Sequence, residues 1–183
     1  TNKLMRNRKL QPRQNMNKRP LSATQRLMQK IASTAPGAWF LARAMHHMDR
    51  MVFKLSGGRT TMAGVMTGLP VVVLATKGAK SGLIRTIPLL CIEDEERPGT
   101  LAVVASNFGQ SHNPAWYYNL KANPETTGSI NGLVSSYAAH EAKDEEYERF
   151  WNYALDTYIG FPSYKVRAGQ RHIPIMVMEP RSA

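Results

Sequence analysis

The apolar positions fall into two regimes along the chain. From Leu69 onward the dominant period is that of strands. The run Val71-Val72-Val73-Leu74-Ala75 reads as a buried strand, because branched side chains suit a pleated surface. Gly78 and Gly82 then supply the backbone freedom of a tight turn, and a second strand is expected over about 85–93. An acidic turn at 93–99 leads to a third strand at 100–106. Three strands joined this closely, with no crossover helix, predict an antiparallel meander rather than a parallel doubly wound sheet. Asn113 as N-cap, with Pro114 in the first helical position, predicts a short helix that Asn123-Pro124 ends. Strands at 126–131 and 135–142 flank the hairpin signal Asn131-Gly132. An acidic helix over 144–158 turns Phe150, Trp151 and Leu155 inward, and a last strand spans 173–179.

The first part of the chain has a different rhythm. Residues 1–20 are basic, rich in Asn and Gln, and end at Pro20, which reads as a flexible arm. Over 21–56 the period is helical. Leu27, Met28 and Ile31 form one apolar turn, Pro36-Gly37 interrupts, and Leu41, Met45, Met48, Val52 and Leu55 continue. Arg43, His46, His47 and Arg50 occupy the polar side, so the segment suits either the flank of the core or an anionic membrane surface. The remainder, 57–183, is expected to be one cofactor-binding domain. The longest uncharged interval, 60–76, is shorter than the roughly 20 residues of a membrane-spanning helix, and Gly64, Gly68 and Pro70 break it. With no secretory signal visible, the expected location is the cytoplasm, with a peripheral position on the inner face of the membrane as a further option.

Charge sharpens this division. The formal net charge is +11, and ten cations precede the first acidic residue, Asp49. The excess favours anionic partners: an anionic membrane surface, a polyanionic small molecule or, least expected, nucleic acid. Hydrophobic residues make up 43% of the chain, which excludes wholesale disorder. Cys91 is the single cysteine, so no internal disulfide forms, and it reads as a small apolar strand residue rather than a nucleophile. His46 and His47 face different directions, while His112, His140 and His172 are isolated, so no metal site is expected. Nucleophile elbows and Walker or GxGxxG loops are absent, which leaves hydrolase readings without an anchor.

What remains is a composite. Lys77, Lys80, Ser81 and Arg85 surround the exposed backbone of the glycine loop, a chemistry that suits an oxyanion. Ala105-Ser106-Asn107 forms a small, polar strand end, and Trp116 stands near the start of the following helix. Together these can line a groove for a flat anionic cofactor. Singly, Lys80 and Arg85 are ordinary surface charges, and Trp116 and Tyr117 ordinary core aromatics.

The motif G-A-K-S-G at 78–82 occurs with N-P-A-W-Y-Y-N-L-K-A-N-P at 113–124, then F-P-S-Y-K at 161–165 and H-I-P-I-M-V-M-E-P at 172–180. In order and spacing these blocks resemble the deazaflavin-dependent nitroreductases of actinobacteria, over about 53–180. The resemblance implies an antiparallel split β-barrel similar to FMN-binding split barrels, mainly β with flanking helices. It implies reduced coenzyme F420 as hydride donor to quinones, nitroaromatics or activated enones. By the same resemblance Lys80, Ser81 and Arg85 hold the cofactor's phosphate and acidic tail. Ala79 stands where relatives often carry a second arginine, so that contact is expected to pass to Lys77 or the basic N-terminal segment. Thr86, Ile87, Pro88, Leu89 and Leu90 match the strand beside the cofactor. Val104, Ala105, Ser106 and Asn107 match the segment under the ring, and Ala115, Trp116, Tyr117, Tyr118 and Asn119 the helix start that closes the groove. Tyr164 resembles a tyrosine near ring and substrate; with Ser106 it is expected to donate a hydrogen bond or proton to the anion that develops on the acceptor. Phe161 stands where a tyrosine is frequent. Competing expectations are FMN or haem handling on the same fold, and a peripheral membrane module without catalysis.

Overall fold

One antiparallel sheet of seven strands organises the described residues, which are 22–34, 36 and 69–181 of this computed structural model. The strands are β1 (Val71–Lys77), β2 (Ile84–Leu90), β3 (Ile92–Glu93), β4 (Leu101–Val104), β5 (Glu125–Ile130), β6 (Leu133–Glu141) and β7 (Ile175–Pro180). They lie in the order β2-β1-β5-β6-β7-β4-β3. The arm over 1–20 and the apolar and basic positions expected between Leu41 and Leu55 lie outside the described residues.

The expected meander is replaced by a curl. The hairpin β1–β2 forms, from Val71↔Leu90 to Lys77↔Ile84. The strand expected over 85–93, however, breaks at Cys91, whose N–H donates to the Pro70 carbonyl at 3.0 Å. Beyond the break Ile92 pairs with Ala102, so β3 joins β4 at the other end of the order. Two consecutive strands thus form opposite edges of one sheet, which requires the sheet to curl on itself. Pro88 fits β2 because that strand is an edge. Asn131 and Gly132, at φ +52° and +83°, make the β5–β6 turn as their dipeptide predicts.

The curl gives the sheet two buried faces. On β7, Ile175 and Val177 join the outer core, while Met176 and Met178 join the inner one. On β4, Ala102 faces out and Leu101 and Val103 in, the two-residue alternation of a strand. Burial on both sides explains why β7 reads as a continuous apolar run.

Four α-helices are described, besides a 3-10 turn at Asn107–Gly109. Helix α1 (Ala23–Ser33) starts at a capping box of Ser22 and Gln25. Helix α2 (Ala115–Ala122) seals the inner core with Trp116, Tyr117 and Leu120. Its N-cap is Pro114 in extended backbone, one residue later than expected from Asn113, whose side chain is engaged elsewhere. Helices α3 (Asp144–Thr157) and α4 (Phe161–Ala168) cover the outer face with Phe150, Trp151, Phe161 and Tyr164. Sequence reading placed α3 but not α4; of the residues it turned inward, Phe150 and Trp151 are buried and Leu155 packs half-buried against the outer core, with Ala154 buried beside it.

An ion-pair cluster locks α3 to the sheet. The fully buried Asp94 carboxylate meets Arg97 Nε and Arg149 Nη1, each at 2.8 Å. Arg97 also reaches Glu146 at 2.7 Å and Glu179 at 2.8 Å, and Arg149 reaches Glu96 at 2.8 Å. Burial alone would raise the Asp94 pKa; the hydrogen bonds from Arg97, the Glu96 backbone and Arg149 outweigh it and hold the carboxyl below its ordinary value.

Candidate functional site

The glycine–lysine loop sits at the open tip of β1–β2. Gly78 N–H donates to the Leu83 carbonyl at 2.9 Å, and Gly82 N–H to the Gly78 carbonyl at 2.8 Å. Gly82 has φ +67°, a conformation glycine adopts without steric cost. Ala79, Lys80, Ser81, Arg85 and Thr86 are exposed, while Ile87, Pro88, Leu89 and Leu90 are half-buried along β2. Lys77, Lys80 and Arg85 make no ion pair with any described residue.

Helix α2 holds this loop by its side chains. Asn119 accepts from the Ala79 N–H through Oδ1 at 3.0 Å and donates from Nδ2 to Thr76 Oγ1 at 3.2 Å. Asn123 Nδ2 donates to the Lys77 carbonyl at 3.2 Å. Asn119 therefore shapes the loop, and Ala79 contributes its backbone. Trp116 and Tyr117 are 5% and 7% exposed and form the inner core; Ala115 and Tyr118 face outward. The Tyr117 hydroxyl donates to Glu141 Oε2 at 3.0 Å, which also accepts from Lys121 Nζ at 2.9 Å. Burial opposes ionisation of Glu141, but those two donors prevail and keep its pKa below the ordinary value.

The strand end lies at the start of the same helix. Val104 and Asn107 are half-buried, Ala105 and Ser106 buried. Beyond them Asn107, Phe108 and Gly109 have φ of +46°, +56° and +78° in succession. Left-handed backbone is uncommon for an aromatic residue and persists only where its surroundings hold it. Two arginines do so. Arg171 donates from Nη2 to the Ser106 carbonyl at 2.6 Å, from Nη1 to the Ala105 carbonyl at 3.2 Å and to Asn113 Oδ1, and from Nε to the Gln110 carbonyl at 2.8 Å. Arg167 donates from Nε to the Phe108 carbonyl at 3.2 Å and from Nη1 to the Ser33 carbonyl of α1 at 2.8 Å. A Cβ on Gly109 would stand 2.9 Å from the Tyr164 carbonyl, so glycine alone allows the turn to meet α4 this closely.

Tyr164 is thereby placed beside the strand end. Its ring meets Phe108 edge-on at 5.9 Å, and Arg167 Cζ lies 4.9 Å from the ring centroid. Its hydroxyl is 2.9 Å from that of Tyr158. Burial first, and then Tyr158, pushes the Tyr164 phenol far above its ordinary pKa, so it stays a neutral O–H at physiological pH. Phe161 packs on both tyrosines. The structure thus brings Ser106 and Tyr164 onto adjoining elements, and Lys80, Ser81 and Ala79 onto a loop tied to Asn119. Helix α2 links the two: Asn119 in it holds the loop, and Asn113 just before it accepts from the same Arg171 that holds the strand end.

Sequence reasoning missed Arg171 and Tyr158, and gave Arg167 no role. Arg171 lies 58–66 residues from the groups it holds, so no local pattern reveals it. Cys91 is 1% exposed, with burial pushing its thiol up to about 12, as expected of an inert core cysteine. No cluster of potential metal ligands occurs among the described residues.

The family model of F420H(2)-dependent quinone reductases matches residues 45–180. A candidate F420H(2)-dependent quinone reductase of Mycobacterium tuberculosis is 35% identical over 119 residues, spanning 65% of this chain and 97% of the relative. A second M. tuberculosis protein, named F420H(2)-dependent quinone reductase, is 30% identical over 115 residues, 61% of this chain and 74% of its own. Among solved structures, an F420-H2 dependent reductase superposes with TM-score 0.54 at 36% identity, over 60% of this chain and 94% of that one. A structure described as a domain-swapped dimer gives TM-score 0.57 at 30% identity, over 79% and 100%.

Proposed function

The chain belongs to the F420H(2)-dependent quinone reductase family, and from that premise we propose that the rim from the glycine–lysine loop to the strand end is its cofactor groove. The protein is an oxidoreductase, and its cofactor is reduced coenzyme F420, which when bound supplies a hydride. Membership of the family, rather than the fold, separates this reading from FMN or haem handling.

The residues present fit such a group. Lys77, Lys80 and Arg85 are cations without carboxylate partners among the described residues, and they surround a loop that also offers the Ser81 hydroxyl. That unmatched charge is the observation that carries the reading, since it suits a phosphate and an acidic tail. Thr86 to Leu90 run along the groove from this end. At the other end Val104, Ala105, Ser106 and Asn107 present small side chains and backbone, against which a flat ring lies closely. Ala115 and Tyr118 border the groove, while Trp116 and Tyr117 support it from the core. Ser106, and the neutral Tyr164 phenol once it parts from the Tyr158 hydroxyl that it now meets at 2.9 Å, donate hydrogen bonds to the oxygen of the acceptor as negative charge develops there.

F420 fluorescence titration and F420H2 oxidation with menadione test this. Saturable binding and turnover are expected, with Lys80→Ala weakening binding and Tyr164→Phe lowering turnover more than binding. Absence of both binding and turnover in the wild type would overturn it.

A peripheral membrane position has its own support. Helix α1 exposes Leu27 by 56% and Ile31 by 46%, beside Arg26 and Lys30, the pattern of an interfacial helix that would bring the groove near lipid quinones. Removing residues 1–34 should abolish co-sedimentation with phosphatidylglycerol vesicles; unchanged sedimentation would refute it.

A further inference from the structure

We propose that Arg171 is the positioning residue of the groove, its guanidinium holding the strand end in the backbone conformation against which the cofactor ring lies. The proposal rests on the groove assignment above. Three carbonyls, those of Ala105, Ser106 and Gln110, and the Asn113 side chain converge on one planar group. These acceptors span the whole connection from β4 to α2, including the three left-handed residues 107–109. Within the run, Asn107 Nδ2 donates to the His112 carbonyl at 2.9 Å. The run's internal backbone bonds are those from Gly109 N–H to the Ser106 carbonyl and from Gln110 N–H to the Asn107 carbonyl, at 2.8 and 3.0 Å.

Arg171 has a second property that a purely structural cation would lack. It forms no ion pair with any described residue, so among them its charge faces only the dipoles of carbonyl groups. Arg97 and Arg149, by contrast, each meet at least two carboxylates. Pulling the Ala105 and Ser106 carbonyls towards Arg171 turns their negative ends to the guanidinium and fixes the peptide planes at the strand end. The charge behind those planes also favours an anion lying over them. A lysine cannot replace this arrangement, because one ammonium has no planar fork to span four acceptors.

The test compares wild type, Arg171→Ala and Arg171→Lys by F420 titration, menadione kinetics and thermal melting, with and without millimolar methylguanidinium. In Arg171→Ala the Kd for F420 should rise about tenfold or more, as expected for losing hydrogen bonds to a charged group. Its kcat should fall while the KM for menadione holds, and methylguanidinium should restore part of both losses. Arg171→Lys should show the same defect without rescue. If Arg171→Ala does not fold, Arg171→Lys carries the test alone. A folded Arg171 variant that binds F420 and turns over like the wild type would overturn the proposal. Wild-type protein that fails to bind F420 would instead overturn the groove assignment, so the two failures are distinguishable.

Discussion

The acidic turn before β4 and the glycine–lysine loop after β1 are both charged, yet they are charged in opposite ways. At the turn, each guanidinium has met carboxylates: Arg97 holds Asp94, Glu146 and Glu179, and Arg149 holds Asp94 and Glu96. At the loop, Lys77, Lys80 and Arg85 have none among the described residues. Charge satisfied within the fold stabilises the fold, whereas charge left open is available to a ligand. Stability and binding should therefore respond separately to substitutions in the two regions.

The largest effect is expected from Asp94→Asn. Removing one partner of a buried, hydrogen-bonded charge cluster costs about 3–5 kcal/mol. At roughly 2–4 °C per kcal/mol for a chain of this size, the melting temperature should fall by about 6–20 °C. F420 affinity measured below that transition should not change; a parallel loss of affinity would merge the two regions into one.

Acid should reproduce part of this effect. Burial opposes ionisation of Glu146, but hydrogen bonds from Arg97 and His140 prevail, so both Asp94 and Glu146 have folded-state pKa values below their unfolded ones. Their contribution is present above the unfolded values, near 4, and is lost as pH falls through the folded values. Melting temperatures should drop below about pH 4, and Asp94→Asn should flatten that slope. An identical slope in the variant would remove Asp94 from the account.

A smaller effect belongs to the loop. Asn119→Ala frees the Ala79 N–H and Thr76, at a stability cost of about 1 kcal/mol, and should weaken F420 binding more than it lowers the melting temperature. Lys80→Ala should weaken binding by about 1 kcal/mol at low salt, with the difference shrinking near 1 M salt as the screening length contracts. A salt-independent loss would argue that Lys80 acts through packing. The smallest expected signal is at Cys91, where a thiol reagent such as DTNB should find no reactive group until the protein unfolds. Fast labelling of the native protein would contradict its burial.

Legibility in the sequence followed the range of the interactions. The glycine–lysine loop could be read because turn chemistry is local, and Asn131-Gly132 because both residues must accept left-handed backbone. Strands β1 and β4 were visible in their apolar runs, and β5 through the hairpin turn that follows it. The break at Cys91 was hidden, because Leu90-Cys91-Ile92 is continuous in hydrophobicity and only the pairing of Ile92 with Ala102 reveals the switch. Helix α4 was hidden because it is only eight residues long and begins at Gly160 and Pro162, residue types common in turns, although proline is tolerated in a first turn. At the site, the sequence motifs named the strand end and the loop, but not what holds them. Asn119 was placed as a groove residue when its side chain serves the loop, and Arg171 belonged to no motif that had been given a role.

The strand order carries one consequence for how the protein is made. Strand β7 lies between β6 and β4, yet it leaves the ribosome after every other described strand. Until then the nascent chain holds one piece of β2, β1, β5 and β6, and a separate piece of β4 and β3. Ala139 and Leu101 both await Met178, their common partner across the gap. A chain stalled or cut before Ile175 would thus expose two unpaired edges and both apolar faces at once, making it a substrate for chaperones and proteases rather than a partly active enzyme.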